Sequence, residues 1–203
     1  MEEDPLTCVD VTDLSRTLDA DGFVTLLRER FEHTPYLMCA RARISVNPFA
    51  WRNIYGPREH AQYMHAPRGA PLPAHLYCVV ERARRGLSVG SQTLVVTGES
   101  GAGKTEVARL SLQYLSHACD ASSQSSVLLE DVLRANHLME FIGNAETQHN
   151  GNSSRFGKLL SVRYARDGAP LGARVTTHLL ERCRVVAPEA PDGAFRIFYA
   201  VLD

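Results

Sequence analysis

No two of the five cysteines, Cys8, Cys39, Cys78, Cys119 and Cys183, stand in C-x-x-C spacing. An odd, scattered set argues against a disulfide framework or a zinc ribbon. The expected state is reduced thiols acting as small apolar residues, with Cys119 and Cys183 as half-buried fillers. No apolar run approaches the ~18 residues that a membrane span needs. The opening Met1-Glu2-Glu3-Asp4-Pro5 is acidic and carries no apolar leader, so a chain neither secreted nor anchored is expected. An excess of one charge is missing as well: Lys plus Arg is 22 against 23 for Asp plus Glu, a net charge of −1. A polyanion-coating protein needs a basic face, so nucleic acid is not an expected partner. The eight histidines include no H-x-x-x-H pair, which leaves no transition-metal motif. Internal repeats and low-complexity tracts are also missing.

What is present reads as globular, with 44% hydrophobic and 22% charged residues over 203 positions. That length suits one ordinary domain or a part of a larger one. Residues 9–32 carry a helical pattern, with Phe23, Leu26, Leu27 and Phe31 on one face and Asp21 as a candidate cap. Arg43 to Val46 alternates like a short strand, and Asn53 to Pro73 is broken by glycine and proline into a connection with room for a turn of helix. Leu76 to Leu87 reads as a helix with Arg82, Arg84 and Arg85 at a solvated basic end and Gly86 near its C-cap. Ser91 to Thr97 is β-branched, as a buried strand would be. Val107, Leu110, Tyr114 and Leu115 mark the next helix, Ala118 to Ser126 a loop, and Leu129, Val132 and Leu133 another helix. Period-two alternation from Lys158, a turn at Asp167-Gly168 and a return over Val175 to Leu180 predict a hairpin. Phe195, Phe198 and Leu202 suggest a last helix.

The most informative octet is Gly98-Glu99-Ser100-Gly101-Ala102-Gly103-Lys104-Thr105, which satisfies G-x-x-x-x-G-K-[ST] between a strand pattern and a helix pattern. Gly98, Gly101 and Gly103 let the backbone curl so that several N–H groups face one concavity fit for phosphate oxygens. Lys104 adds a positive charge, Thr105 a hydroxyl for Mg²⁺, and the helix start its positive dipole end. Val127-Leu128-Leu129-Glu130-Asp131 has the look of an apolar strand ending in acids. Val132 and Leu133 continue its apolar face at helical spacing, however, so helix is the better reading.

Beyond the octet, the sequence resembles a myosin motor domain. Gly98 to Glu106 reads GESGAGKTE, the phosphate loop of that family, and Asn150 to Lys158 resembles the switch I signature N-x-N-S-S-R-F-G-K. Asn47-Pro48-Phe49 through Tyr55 is similar to the family's purine-binding stretch. Phe141 to Ala145, and Leu179-Leu180-Glu181 with Arg184-Val185-Val186, follow in the family's order. The resemblance runs from about Val9 to the last residue. It implies an α/β fold of the P-loop NTPase type, a mixed sheet flanked by helices, with residues 1–40 as a helical lead-in and 41–203 as part of a motor domain.

The resemblance also implies ATP and Mg²⁺ as ligands. Lys104 would hold the β- and γ-phosphates within the loop Gly98 to Glu106, and Asn150 would touch the phosphates beside it. Thr105 and Ser154 would supply hydroxyls to Mg²⁺. Ser153 would orient the attacking water, Arg155 would pair with a glutamate of switch II, and Asn47 and Tyr55 would flank ribose and adenine. Trp51 either covers the base or packs. No D-x-x-G-x-E segment of switch II occurs in these residues. The resemblance places it beyond position 203, so a chain cut before switch II is expected, with unpaired sheet edges and Arg155 lacking its partner. Asn53, Arg84 and Glu81 stand where the family commonly has proline, tyrosine and aspartate. The implied partner is the actin filament, through regions of a full head, with light chains only on a longer chain and a cytoplasmic, cytoskeleton-associated location. Two alternatives stay open: a non-catalytic nucleotide-binding remnant that works as an interaction protein, and a small P-loop phosphotransferase.

Overall fold

The computed structural model describes residue 11 and residues 19–40, 42–70, 72–118, 124–186 and 193–202. Two compact units divide the chain, Met1–Val95 and Val96–Asp203.

In the first unit, α1 covers Ala20–Phe31 and is capped by Asp19, whose side chain accepts from Gly22 N. The cap thus sits two residues before the expected Asp21, which falls inside the first turn, where an acid also suits the helix dipole. Residues 9, 10 and 12–18 of the predicted helical pattern lie outside the described residues. Strands β1 (Tyr36–Cys39) and β2 (Ala42–Ser45) pair antiparallel, Tyr36 opposite Ser45. Helix α2 (Pro57–Met64) fills the segment expected to hold a single turn, with Pro57 at its first position, where a missing N–H costs nothing. Helix α3 (Leu76–Gly86) matches its pattern and buries Leu76, Tyr77 and Val80.

At the basic end of α3, Arg82 is exposed as expected, whereas Arg84 and Arg85 are engaged. Arg84 grips Glu81 with both Nε and Nη2 at 2.8 Å, and Arg85 Nε donates to Glu81 Oε1 at 2.6 Å. Arg85 Nη2 also donates to the carbonyls of Met64 and Tyr63. Glu81 is only 4% exposed, and a carboxylate so buried needs its cations close. Arg85, held by Glu81, therefore ties α3 to the end of α2.

Residues 91–97 are exposed and belong to no strand, with Val95 at 84% exposure. The buried strand expected there is not formed. β-Branched residues favour extended backbone, but a strand exists only beside a partner, and no described strand bonds to this run. For the same reason no single mixed sheet appears among the described residues; there are instead three two-stranded antiparallel sheets.

In the second unit, α4 (Lys104–His117) and α5 (Gln124–Gly143) pack together through Leu112, Leu129 and Val132. The acid-ended run at 127–131 is thus helical, as its spacing indicated; residues 119–123 and Cys119 lie outside the described residues. Hairpin strands β3 (Asn144–Thr147) and β4 (Asn150–Ser154) follow, then β5 (Gly157–Tyr164) and β6 (Pro170–His178). The β5–β6 hairpin holds its predicted turn, with Gly168 at φ 89° and Asp167 Oδ1 accepting from Ala169 N. Leu160, Val162 and Ala173 on one face press against the α4–α5 core. Short α6 (Cys183–Val186) and α7 (Arg196–Leu202) close the unit. Phe195 is buried and bridges to Ala145, whereas Phe198 and Leu202 are exposed and Cys183 is exposed rather than half-buried.

A close approach fixes the join between α5 and the β4–β5 segment. The Phe156 ring lies directly on Gly143, so that a Cβ there would collide with it, and Arg155 N donates to the Gly143 carbonyl at 3.1 Å. Lys158 Nζ donates to Asn136 Oδ1 and Glu140 Oε1 of α5 at 2.6 and 2.9 Å, below the same ring. Gly143→Ala should displace the ring and cost about 1–3 kcal/mol, the usual range for an overpacked contact. Denaturant melts of the two chains check it, and an unchanged midpoint would mean that the ring swings aside freely.

Candidate functional site

The glycine-rich octet forms a loop that ends on the first residue of α4. Gly98, Gly101 and Gly103 have φ of 148°, 82° and 94°, conformations that other residues rarely adopt. Gly103 is the N-cap of α4 and offers no side-chain acceptor, so the first-turn N–H groups have no side-chain cap. A 14-residue helix therefore presents its positive end at the loop. Ala102 N donates to the Glu99 carbonyl at 3.2 Å, and the Ala102 methyl leaves little room at Gly98, where a Cβ would come within 3.1 Å.

Lys104 folds back over this loop and donates to the carbonyls of Gly98 and Glu99, both at 2.7 Å. An ammonium has three N–H donors, so two hold the loop and one is left for a ligand. Thr105 is half-buried at the next position. Glu106 is turned away onto Arg109 one turn along α4, and that hydrogen-bonded guanidinium lowers its pKa.

The hydroxyl-rich strand β4 meets the loop at Ser100. Ser100 Oγ lies 2.9 Å from Ser153 Oγ and accepts from Asn150 Nδ2 at 3.3 Å. Ser153 is 2% exposed and also accepts from Arg155 Nη1 at 3.1 Å. Ser154 faces elsewhere and donates to Asn144 Oδ1 at 2.9 Å, while Asn144 Nδ2 donates to Asn152 Oδ1. Alternation along β4 explains the split: Ser153 and Ser154, adjacent in sequence, must point to opposite faces.

Arg155, expected to lack a partner within these residues, has one. Its Nε donates to Glu181 Oε2 at 2.5 Å, and Arg184 Nε donates to the same oxygen at 2.5 Å. Hydrogen bonds from Arg155 and then Arg184 hold the Glu181 carboxyl at a pKa of about 2. The two arginines outnumber the one acid, so the cluster keeps a net positive charge.

The remaining two candidates belong to the first unit. Asn47 Oδ1 accepts from Phe49 N at 2.9 Å in a turn that holds Phe49 at φ 49°. Tyr55 joins an aromatic cluster: its OH is 2.7 Å from that of Tyr36, and its ring is 5.4 Å from His75 and 5.6 Å from Trp51. Trp51 is 69% exposed.

The myosin head (motor domain) family model matches residues 9–203. The chain belongs to the myosin motor-domain family. Among curated relatives, human unconventional myosin-Ib is 34% identical over 93% of this chain and 17% of its own length. Unconventional myosin-Ic from Bos taurus is 36% identical over 90% of the chain and 17% of its own length, and myosin-Ic-A from Xenopus laevis 35% over 90% and 18%. The chain thus spans less than a fifth of these relatives.

The residues of this myosin-head chain fit a phosphate-bearing ligand with a hard cation. Left-handed glycines, an uncapped helix start, an ammonium with a spare donor and an amide at Asn150 suit phosphate oxygens. The hydroxyls of Thr105 and Ser154 are oxygen donors of the kind Mg²⁺ takes. Three participants escaped the sequence reading: Asn144, Arg184 and the role of Glu181. Glu181 and Arg184 were visible only as members of an ordered block, since an acid that serves a site 26 residues away leaves no local pattern.

Proposed function

We propose that this chain carries the nucleotide-binding and switch I part of an actin-based myosin motor. The observation that carries the reading is the hydrogen-bonded join of the left-handed glycine loop on α4 to β4 through Ser100, Asn150 and Ser153. Lys104 lays its spare N–H against the β- and γ-phosphates of ATP, and Asn150 donates beside it. Thr105 would hold Mg²⁺, joined by Ser154 once its hydroxyl turns from Asn144, and the ion would neutralise charge on the phosphates. Ser153 orients the water, Arg155 braces Ser153, and Asn47 with Tyr55 flanks ribose and adenine. Glu99, Ser100, Ala102 and Glu106 belong to the loop that surrounds the phosphates.

In a whole head these groups would couple ATP hydrolysis to movement on the actin filament, in the cytoplasm at the cytoskeleton. The coupling would use segments outside the matched residues. These 203 residues contain no D-x-x-G-x-E acid, so the chain by itself is expected to hold nucleotide with negligible turnover. Titrating the full chain with a fluorescent ADP tests the proposal. Binding in Mg²⁺ that weakens about tenfold or more in EDTA, a loss of roughly 1.4 kcal/mol, is the expected result. Lack of binding in Mg²⁺ rejects the proposal.

A further inference from the structure

We infer that Glu181 is a positioning residue for the phosphate site: it clamps Arg155 so that the guanidinium holds the Ser153 hydroxyl against Ser100 of the phosphate loop. The inference rests on the nucleotide-site reading and assigns Glu181 a task within it. Glu181 is fastened at its backbone and its side chain. Its N–H donates to the Arg155 carbonyl at 3.0 Å, and its Oε2 accepts from Arg155 Nε at 2.5 Å. Behind it stands Arg184, 5% exposed, which spends Nε on the same carboxylate and Nη1 on the carbonyls of Gly193 (2.7 Å) and Glu146 (3.4 Å). Leu179 enters this turn at φ 56°, a conformation that costs a non-glycine residue about 1–2 kcal/mol and persists when its surroundings hold it.

In front of the clamp, the direction of the hydroxyl chain follows from donor counting. Ser153 Oγ receives a proton from Arg155, and Ser153 is buried, so its own O–H needs an acceptor. Ser100 Oγ at 2.9 Å provides it. Ser100 then accepts from both Ser153 and Asn150, which fills its two lone pairs and leaves its O–H to donate outward from an exposed position. Without the clamp, Arg155 is free to leave Ser153, the Ser153–Ser100 bond can reverse, and the outward donor at Ser100 is lost. As an ion pair alone, the partly exposed Arg155–Glu181 contact would contribute little to stability. Its value lies in orientation.

The test uses the full chain with Glu181→Gln, Glu181→Asp and Ser100→Ala, and reads Mg²⁺-dependent binding of fluorescent ADP. Glu181→Gln should weaken binding about fivefold, with Glu181→Asp recovering part of the loss. The Glu181→Gln, Ser100→Ala double variant should bind within about twofold of Ser100→Ala alone, because both changes break one chain of bonds. Losses that multiply, or Glu181→Gln binding as well as or better than the parent, overturn the inference. Solvent exchange of the Arg155 Nε–H, followed by NMR without nucleotide, provides a second readout. The clamp predicts slow exchange in the parent and at least about tenfold faster exchange in Glu181→Gln; equal rates refute it. A parent chain that binds no nucleotide defeats the functional reading, and the exchange rates still decide the clamp.

Discussion

Replacing Lys104 with alanine is expected to weaken nucleotide binding about 100-fold while leaving the melting midpoint of the chain nearly unchanged. Truncating one partner of a close charge-assisted contact costs roughly 2–5 kcal/mol, and each 1.4 kcal/mol is tenfold in affinity. The ammonium holds only the carbonyls of Gly98 and Glu99, both in an exposed loop that water can solvate when the lysine is gone. Stability should therefore move by no more than about 0.5 kcal/mol, as for other surface changes. Lys104→Arg should not restore affinity, because a planar fork cannot replace a compact ammonium that shares its donors between loop and phosphate. Fluorescent ADP titration and a thermal melt of the same samples decide the matter. Binding by Lys104→Ala within about threefold of the parent would remove Lys104 from the phosphate site.

That site was legible in the sequence to the extent that its chemistry is local. The glycines of the loop, Lys104 and Thr105 lie within one octet, and all three glycines do adopt positive φ. The segment Asn150 to Arg155 was legible as a unit, yet its division into Ser153 toward the loop and Ser154 toward Asn144 needed the strand pairing of β3 and β4. Glu181 was out of reach because its partners meet only after the β5–β6 hairpin returns the chain. The hairpin itself was readable: its alternation falls in β5 and its turn at Asp167-Gly168 lies between the strands, although the return, expected from Val175, already begins at Pro170. Strand β1 was missed because Tyr36-Leu37-Met38-Cys39 is apolar throughout, with no period to read. The error at Ser91 to Thr97 has the opposite origin. Propensity speaks only for single residues, but a sheet is a property of pairs, and the described residues supply that run with no strand partner.

The first unit carries a different dependence, on acid. His75 caps α3 with Nδ1, which accepts from Tyr77 N at 3.0 Å, so the neutral ring carries its proton on Nε2. The ring is 5% exposed and enclosed by Tyr36 of β1, Tyr63 of α2, Tyr77 of α3 and Tyr55, with centroids 4.6–5.4 Å away. Burial raises the pKa of Tyr36 and Tyr63 above the ordinary phenol value, so neither brings a charge to the ring. Burial therefore dominates and pushes His75 down to about 4, with the Ile54 backbone opposing weakly. A folded value below the unfolded 6.5 means that the unfolded chain takes up the proton first. Stability from the neutral ring is fully present above pH 6.5, falls as the pH drops toward 4, and is gone below. The difference of about two and a half pKa units corresponds to about 3 kcal/mol, a large part of a small unit's stability. His75→Asn keeps a capping acceptor and removes the titration, so its urea midpoint should change much less between pH 6.5 and 4 than that of the parent. Equal slopes in the two chains would show that His75 is not the group through which acid loosens this unit.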